Sequence, residues 1–496
     1  MVETFAVSPV DSDHAALCLF SEQLARTAEL LRISPVVSHD APNERLALLS
    51  TAAETLGFTT TMYGYDLLCV QAGSGTNVLT VVHHHDLLSE QGEGSTPARV
   101  AVPLHPPDSI RSACSSDFET ALCGSLVTYH AAPALSLLYG LKAAVAVQGV
   151  RASSAAVRIL FGADAESGHR CFFGAKRRHL FEHPGILVNG AFSGTAHTHP
   201  GWLDVDIRVP VVRADDEPLL NTPKSMGDQT FDLKWETAGG RSDLVPALAI
   251  VSLYPEALSE GRVLRQIETV IAAGDLPISV APHPQRDRLG LRMVATGRSG
   301  HASDPRRADN ALIHMAKLCS QLPVYGQRAF QWIAETFDES GQYRDGQHGD
   351  LAWSVGQLAV GHGHVDLRCA TRLPWETDPT VILDDLRRRL GHGGLVRPKR
   401  LLGGRKDSVS GRLLHMIDAV LAADADSVVH QKPSGGRGPL TRFPDHVRGV
   451  SFGPVLTGQQ DHAYEAGECV SEQDVLAATR RYAGLFANWF TEQASD

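Results

Sequence analysis

Two kinds of hydrophobic pattern alternate along the chain. Ala15 to Leu31 sets Leu17, Leu19, Phe20, Leu24, Leu30 and Leu31 at roughly helical spacing. A second amphipathic run, Glu44 to Leu56, lies between Pro42 and Gly57, which suit the start and the end of a helix. Val78 to Val82 is different: an unbroken apolar run rich in β-branched residues, which predicts a strand buried on both faces. It runs into His83, His84, His85 and Asp86. After a Gly/Ser/Pro-containing stretch, Ser89 to Ser116, read as a loop, Pro133 opens a helix through Leu135, Leu138, Leu141 and Ala144. Val157 to Phe161 is a second buried strand, followed by Asp164, Ala165 and Glu166. Strand, helix, strand, with polar side chains at the carboxyl ends of strands, predicts an open α/β sheet with its site at that end.

The texture changes after Pro200. Leu203 to Val209 alternates apolar with charged residues, as a half-exposed strand does, and similar pieces recur at Leu289 to Ala295 and Leu358 to Cys369. Helices are predicted over Asn310 to Leu322 and Asp378 to Leu390. The Gly/Arg/Lys stretch Val396 to Gly404 is read as the return to the first domain. Ser471 to Phe490 is a closing helix, with Ser471 and Asp474 at capping-box spacing. The expected organisation is an α/β domain over residues 1–202, an inserted α+β domain over 203–400, and the second part of the α/β domain over 401–496.

Composition narrows the function classes. The 496 residues carry 45 Lys+Arg and 56 Asp+Glu, a formal net charge of −11, which argues against nucleic acid or an anionic membrane surface as the main partner. At 43% hydrophobic and 20% charged, the chain has the mix of a globular protein. Eight cysteines without a C-x-x-C pair give no disulfide framework and no structural zinc signature, and free thiols suit a reducing cytoplasm. Met1 to Asp11 lacks a basic flank and an apolar stretch, so no secretory signal is expected. No apolar run approaches the roughly 18 residues of a membrane span.

Four places hold candidate chemistry. His84-x-Asp86 at a strand end offers an imidazole that a carboxylate could orient. Asp164-Ala165-Glu166-Ser167-Gly168 offers carboxylates at a strand–helix junction, where they also serve as ordinary N-terminal caps. Gly297 to Pro305 is a Gly-rich turn carrying His301, and Arg372-Leu373-Pro374, read as the end of an exposed strand, offers a guanidinium that could clamp a carboxylate. Each alone has a plain structural explanation; their order and spacing carry more.

In that order the motifs resemble the two-zinc metallopeptidases that include Xaa-His dipeptidases, aminoacylases and glutamate-releasing carboxypeptidases, most closely the long dipeptidase branch. The matching pieces are Val81 to Leu88, Pro133 to Lys142, Phe161 to Gly168, Gly297 to Ala311, Arg372 to Pro374 and Phe452 to Glu468. The resemblance implies a zinc-peptidase-like α/β/α catalytic domain interrupted by an α+β lid, enlarged in the long branch, whose members can work as monomers. It also implies roles. His84 matches a zinc ligand and Asp86 the residue that orients it. The bridging carboxylate falls on Tyr129, beside His130, and the general base falls on Ala165. Glu166 matches a retained ligand. A further ligand falls on Gly190, and the last on Tyr464, four residues before Glu468. In the lid, His301 matches an oxyanion-stabilising residue, Arg372 the holder of the substrate carboxylate, and Asn310 the Asn-Ala step of a lid helix.

A catalytic zinc normally has three protein ligands, and Ala cannot take a proton from water. The expectation is therefore a dismantled two-zinc site, with no metal and no cofactor. His84, Asp86, Glu166, Tyr129, His130 and Tyr464 are the candidate acids and bases, and His301, Arg372 and Asn310 the candidate binding residues for a small carboxylate of amino-acid or peptide character. Three functions compete: a metal-independent acid–base enzyme, foremost; a ligand-binding pseudoenzyme; and a hydrolase whose single-metal site is rebuilt from His84 and Glu166 with His130, His462, His197 or His199.

Overall fold

A computed structural model describes residues 42–84, 121–123, 130, 132–148, 155–163, 170–173, 175–182, 185–189, 193–196, 198–211, 232–254, 260–283, 290–302, 305, 308–337, 351, 353–407, 411–422, 439–443, 446–454 and 469–491. The expected helix at Ala15 to Leu31 and the loop at Ser89 to Ser116 lie outside these residues. The chain divides into two compact units, one of residues 1–89, 98–200 and 405–496, the other of 90–97 and 201–404.

In the first unit, α1 (Pro42–Thr55) is followed by β1 (Thr59–Met62), β2 (Leu67–Ala72), β3 (Asn77–His84), β4 (Ala121–Cys123), α2 (Ala132–Gln148), β5 (Ala155–Gly162), β6 (Gly185–Asn189), β7 (Ser193–Ala196) and β8 (Thr198–His199). Seven strands form one sheet in the order β1-β2-β5-β3-β6-β20-β7, where β20 is Val450–Pro454. Its centre is parallel: β3 runs beside β5, with His84 opposite Gly162, and beside β6, while β20 also runs parallel to β6. Residues 78 to 83 of β3 are all buried, as an unbroken apolar run demands between two covered faces. One face packs on α1, α2, α7 (Gly411–Ala422) and α8 (Glu472–Thr491), and the other on short helical turns carrying Phe172, Leu180, Leu440 and Phe443. The start of α8 follows its signal: the Ser471 hydroxyl accepts from the Asp474 amide at 3.0 Å and donates to the Asp474 carboxylate at 2.6 Å.

The second unit is built from β9 (Gly201–Pro210), β10 (Asp232–Thr237), β11 (Leu244–Val245), β12 (Leu248–Tyr254), α3 (Glu260–Gly274), β13 (Ile278–Pro282), β14 (Leu291–Thr296), β15 (Gly300–His301), α4 (Ala311–Ser320), α5 (Gln327–Thr336), β16 (Trp353–Gly361), β17 (His364–Leu373), α6 (Pro379–Leu390) and β18 (Leu395–Leu402). Two four-stranded antiparallel sheets, β16-β17-β9-β18 and β10-β12-β14-β13, share a core with α3 to α6.

Several expectations change here. Leu358 to Cys369 is no single strand: the chain turns at His362-Gly363, where Gly363 takes φ +82°, and returns as β17. The first half of β9 is buried on both faces, not half-exposed, and the end of β17 is likewise covered, with Thr371 and Leu373 buried and Arg372 half-buried. Val396 to Gly404 is not merely a return path, because most of it pairs with β9 as edge strand β18. Helices α3 and α5 here, and α7 in the first unit, answer to no element that the hydrophobic pattern predicts.

Candidate functional site

The parallel strands β3, β5, β6 and β20 have their carboxyl ends at one end of the sheet, and in the sequence each is followed by one of the motifs. Asp86 follows β3, Glu166 follows β5, Gly190 follows β6 and Tyr464 follows β20. Asp86, Glu166, Tyr129, Gly190 and Tyr464 themselves lie outside the described residues, as do His197 and His462. His84 and His130 are described, and they come together. Their rings meet edge to face with centroids 4.8 Å apart. His130 is fully buried just ahead of α2, and His84, at the last position of β3, is half-buried. The preceding residue supports them. His83 is 1% exposed, and its Nε2 donates to the His130 carbonyl oxygen at 3.0 Å, tying β3 to the residue just ahead of α2. The His83 ring lies 5.7 Å from that of His84 and packs edge-on to Phe161 of β5 at 5.8 Å. His199, one of the candidates for a rebuilt site, is fully buried on β8 and pairs with Arg405 of β19 (Arg405–Lys406).

The candidate binding residues belong to the second unit. His301 closes the two-residue strand β15 opposite Leu244 of β11. Its turn needs glycine: a Cβ on Gly297 would stand 2.1 Å from the Asp309 carbonyl oxygen, and one on Gly300 2.7 Å from the Ala308 Cβ. The Ala302 amide donates to the Asp243 carbonyl at 2.8 Å, and the Asp243 carboxylate is gripped by both Nε and Nη2 of Arg241, at 2.8 and 2.6 Å. Arg372 stands directly opposite Trp202 in the β17–β9 pairing, and the Trp202 ring lies 6.0 Å from that of His301. Trp202 thus joins the two residues that the motifs single out. It is 1% exposed, and its indole N–H donates to Asp204 at 2.6 Å. Nothing in the hydrophobic pattern marks it beyond a tryptophan at the start of an alternating run.

Asn310 is placed differently. Its side-chain oxygen accepts from the Leu312 amide at 3.0 Å as the cap of α4, and its Nδ2 donates to the Val355 carbonyl at 3.0 Å. Both polar ends are used inside the unit, so Asn310 holds the helix that follows the His301 turn.

No protein-family model matches the chain. A Bacillus subtilis (strain 168) protein named "Putative dipeptidase YtjP" is 25% identical over 503 residues, covering 93% of this chain and 96% of that one. Among solved structures, human carnosine dipeptidase 1 aligns with a TM-score of 0.53 at 13% identity, covering 98% of this chain and 99% of its own. The di-peptidase Dug1p of Saccharomyces cerevisiae aligns at 0.53 and 11%, covering 99% and 100%. The M20 family metallo-carboxypeptidase Sso-CP2 of Sulfolobus solfataricus aligns at 0.50 and 12%, covering 95% and 99%. The chain has the M20 metallopeptidase fold.

Two zinc ions, which the sequence resemblance attaches to this fold, do not fit the residues present. An M20-type pair would need a shared carboxylate, but in the motif order that position falls on Tyr129, and two further donor positions fall on Gly190 and Tyr464. Among the described residues no three His, Cys, Asp or Glu side chains are grouped to hold a metal ion. Among those residues this M20 fold presents an imidazole pair, His130 buried and His84 half-buried, in one unit and a Trp–His–Arg corner in the other. No described helix is long and apolar enough to cross a membrane.

Proposed function

We propose that the chain acts on a small carboxylate-bearing molecule of amino-acid or peptide character, and does so by acid–base chemistry of its own side chains rather than through a zinc pair. The edge-to-face contact of His84 and His130 carries this reading. Imidazole can both give and take a proton near neutral pH, and two imidazoles in contact offer one of each role. His83 acts as a positioning residue through the His130 backbone. Tyr129, Glu166, Asp86 and Tyr464 are further acids and bases that the motif order assigns to the same strand ends. Such a set suits cyclisation, condensation or isomerisation, steps in building a metabolite. Names of the similar proteins support the substrate class, since three of them are dipeptidases.

The test pairs metal analysis with substrate trapping. Protein purified from zinc-supplemented cells is expected to hold well under one zinc per chain. Mass spectrometry after incubation with amino-acid and dipeptide pools is expected to reveal a converted compound. His84→Ala and His130→Ala should each slow that conversion by about 10²–10⁴-fold, with no effect of chelator. About one equivalent of zinc with chelator-sensitive dipeptide cleavage would overturn the proposal.

The Trp202 corner favours a second reading, a binding protein for amino-acid derivatives. A guanidinium on the strand beside buried Trp202 suits a carboxylate ligand. In that case Arg372→Ala abolishes binding, His84→Ala leaves it intact, and no compound is converted.

A further inference from the structure

From Arg387 to Lys406 the chain carries eight Lys or Arg and no acidic residues, in a protein whose formal net charge is −11, although Arg387, Arg388 and Arg389 pair with Asp384 and Asp385 just before it. The middle of this run is β18, the edge strand of the β16-β17-β9-β18 sheet. Strand registers show where its cations stand. Leu203, Val205, Ile207 and Val209 of β9 face the core, so Asp204, Asp206 and Arg208 face the other way. Arg397 lies opposite Asp206, and Arg400 opposite Asp204, on that outer face. Lys399, the extra residue of a bulge, reaches Asp206 at 3.0 Å. From β17, Arg368 and Arg372 stand opposite Asp206 and Trp202.

With Arg372 set aside as part of the Trp202 corner, the outer face holds five Lys or Arg and three Asp. Its aspartates are already engaged: Asp206 by Arg368 (3.7 Å) and Lys399, Asp366 by Arg208 (2.8 Å), and Asp204 by Arg400 (3.4 Å). Arg397 is exposed and has no partner among the described residues. Exposure rises away from Trp202, with the side chains of Arg368, Arg208 and Lys399 at 58%, 48% and 47%.

We infer that this sheet face and its edge strand dock an acidic protein partner. Charge complementarity commits the face to that occupant. An excess of cations on an otherwise acidic molecule repels no acidic surface locally, and it steers one toward this face from a distance. The three embedded aspartates weigh against nucleic acid, whose closely spaced phosphates would meet them, and suit a protein surface of discrete carboxylates. Lys, Arg and Pro on an edge strand also guard against strand pairing, but that role needs no cations on β17. The inference stands apart from the proposed chemistry.

The probe is immobilised poly-L-glutamate, with heparin in a parallel channel and the full chain in solution. Binding to poly-L-glutamate is expected to weaken at least tenfold between about 50 and 300 mM NaCl. Arg368→Gln with Arg397→Gln should weaken it about tenfold, while Arg262→Gln with Arg265→Gln, on exposed positions of α3, should leave it unchanged. Should the first pair melt early, Arg397→Gln alone decides, because it breaks no described ion pair. The inference fails if poly-L-glutamate does not bind, if both pairs weaken binding equally, or if heparin binds more tightly through the same arginines.

Discussion

His83 and His84 are neighbours in sequence with separate duties. On a strand, successive side chains point to opposite faces. His83 goes inward and spends its N–H on the His130 carbonyl, while His84 sits at the strand end against the His130 ring. A run of three histidines is visible in the sequence as a motif, but which one is structural depends on the facing carbonyl, which no local pattern encodes. His83→Leu should keep the apolar packing against Phe161 and strand the carbonyl. The expected loss is about 1–3 kcal/mol of stability, read by chemical denaturation. The same limit hid Trp202, whose importance comes from its register against Arg372 and its nearness to His301. It also misdirected Asn310, whose Asn-Ala step is legible as a motif while its use as a helix cap appears only once the Leu312 amide and Val355 carbonyl are located.

Elements with strong local signals were the legible ones. Asp378 before Pro379 and Asn310 before Ala311 announce α6 and α4, and both side chains accept from the amide two residues on. The central strands β3 and β5 declare themselves as apolar runs because both their faces are covered. Alternation proved less reliable. It marks β9 as a strand, yet Trp202 and Asp204 on its polar face are also buried. Helix α3 escaped notice because only a narrow stripe, Val263 and Ile267, is fully buried. The close pairing of α2 with α8 was equally hidden. Gly140 permits it, since a Cβ there would stand 2.7 Å from the Tyr482 Cβ and 3.0 Å from the Thr479 carbonyl. Neither neighbour can yield cheaply: Tyr482 is fully buried, against Phe486 and Phe452. Gly140→Ala should therefore destabilise the protein by about 1–3 kcal/mol despite the higher helix propensity of Ala. A lowered midpoint in urea with an unchanged slope is the expected reading.

At the scale of the whole molecule, the parallel centre of the seven-stranded sheet was readable from the continuous apolar runs of β3 and β5. The order of strands within a sheet was not, because it depends on contacts between residues hundreds of positions apart, such as Val450 beside Leu187. One such distant pairing has a practical corollary. Thr198 and His199 lie antiparallel to Lys406 and Arg405, so the chain departs for residues 201–404 and comes back at adjoining points. The Arg405 side chain bolts the second of these points in place, through the Leu440, Phe443 and Val447 carbonyls and Asp407. A short glycine-rich splice from Pro200 to Arg405 would thus turn a two-hundred-residue detour into a hairpin. The trimmed protein is expected to melt in one cooperative transition with its seven-stranded sheet intact, and a scan without such a transition would show that the excised portion is indispensable to the remainder.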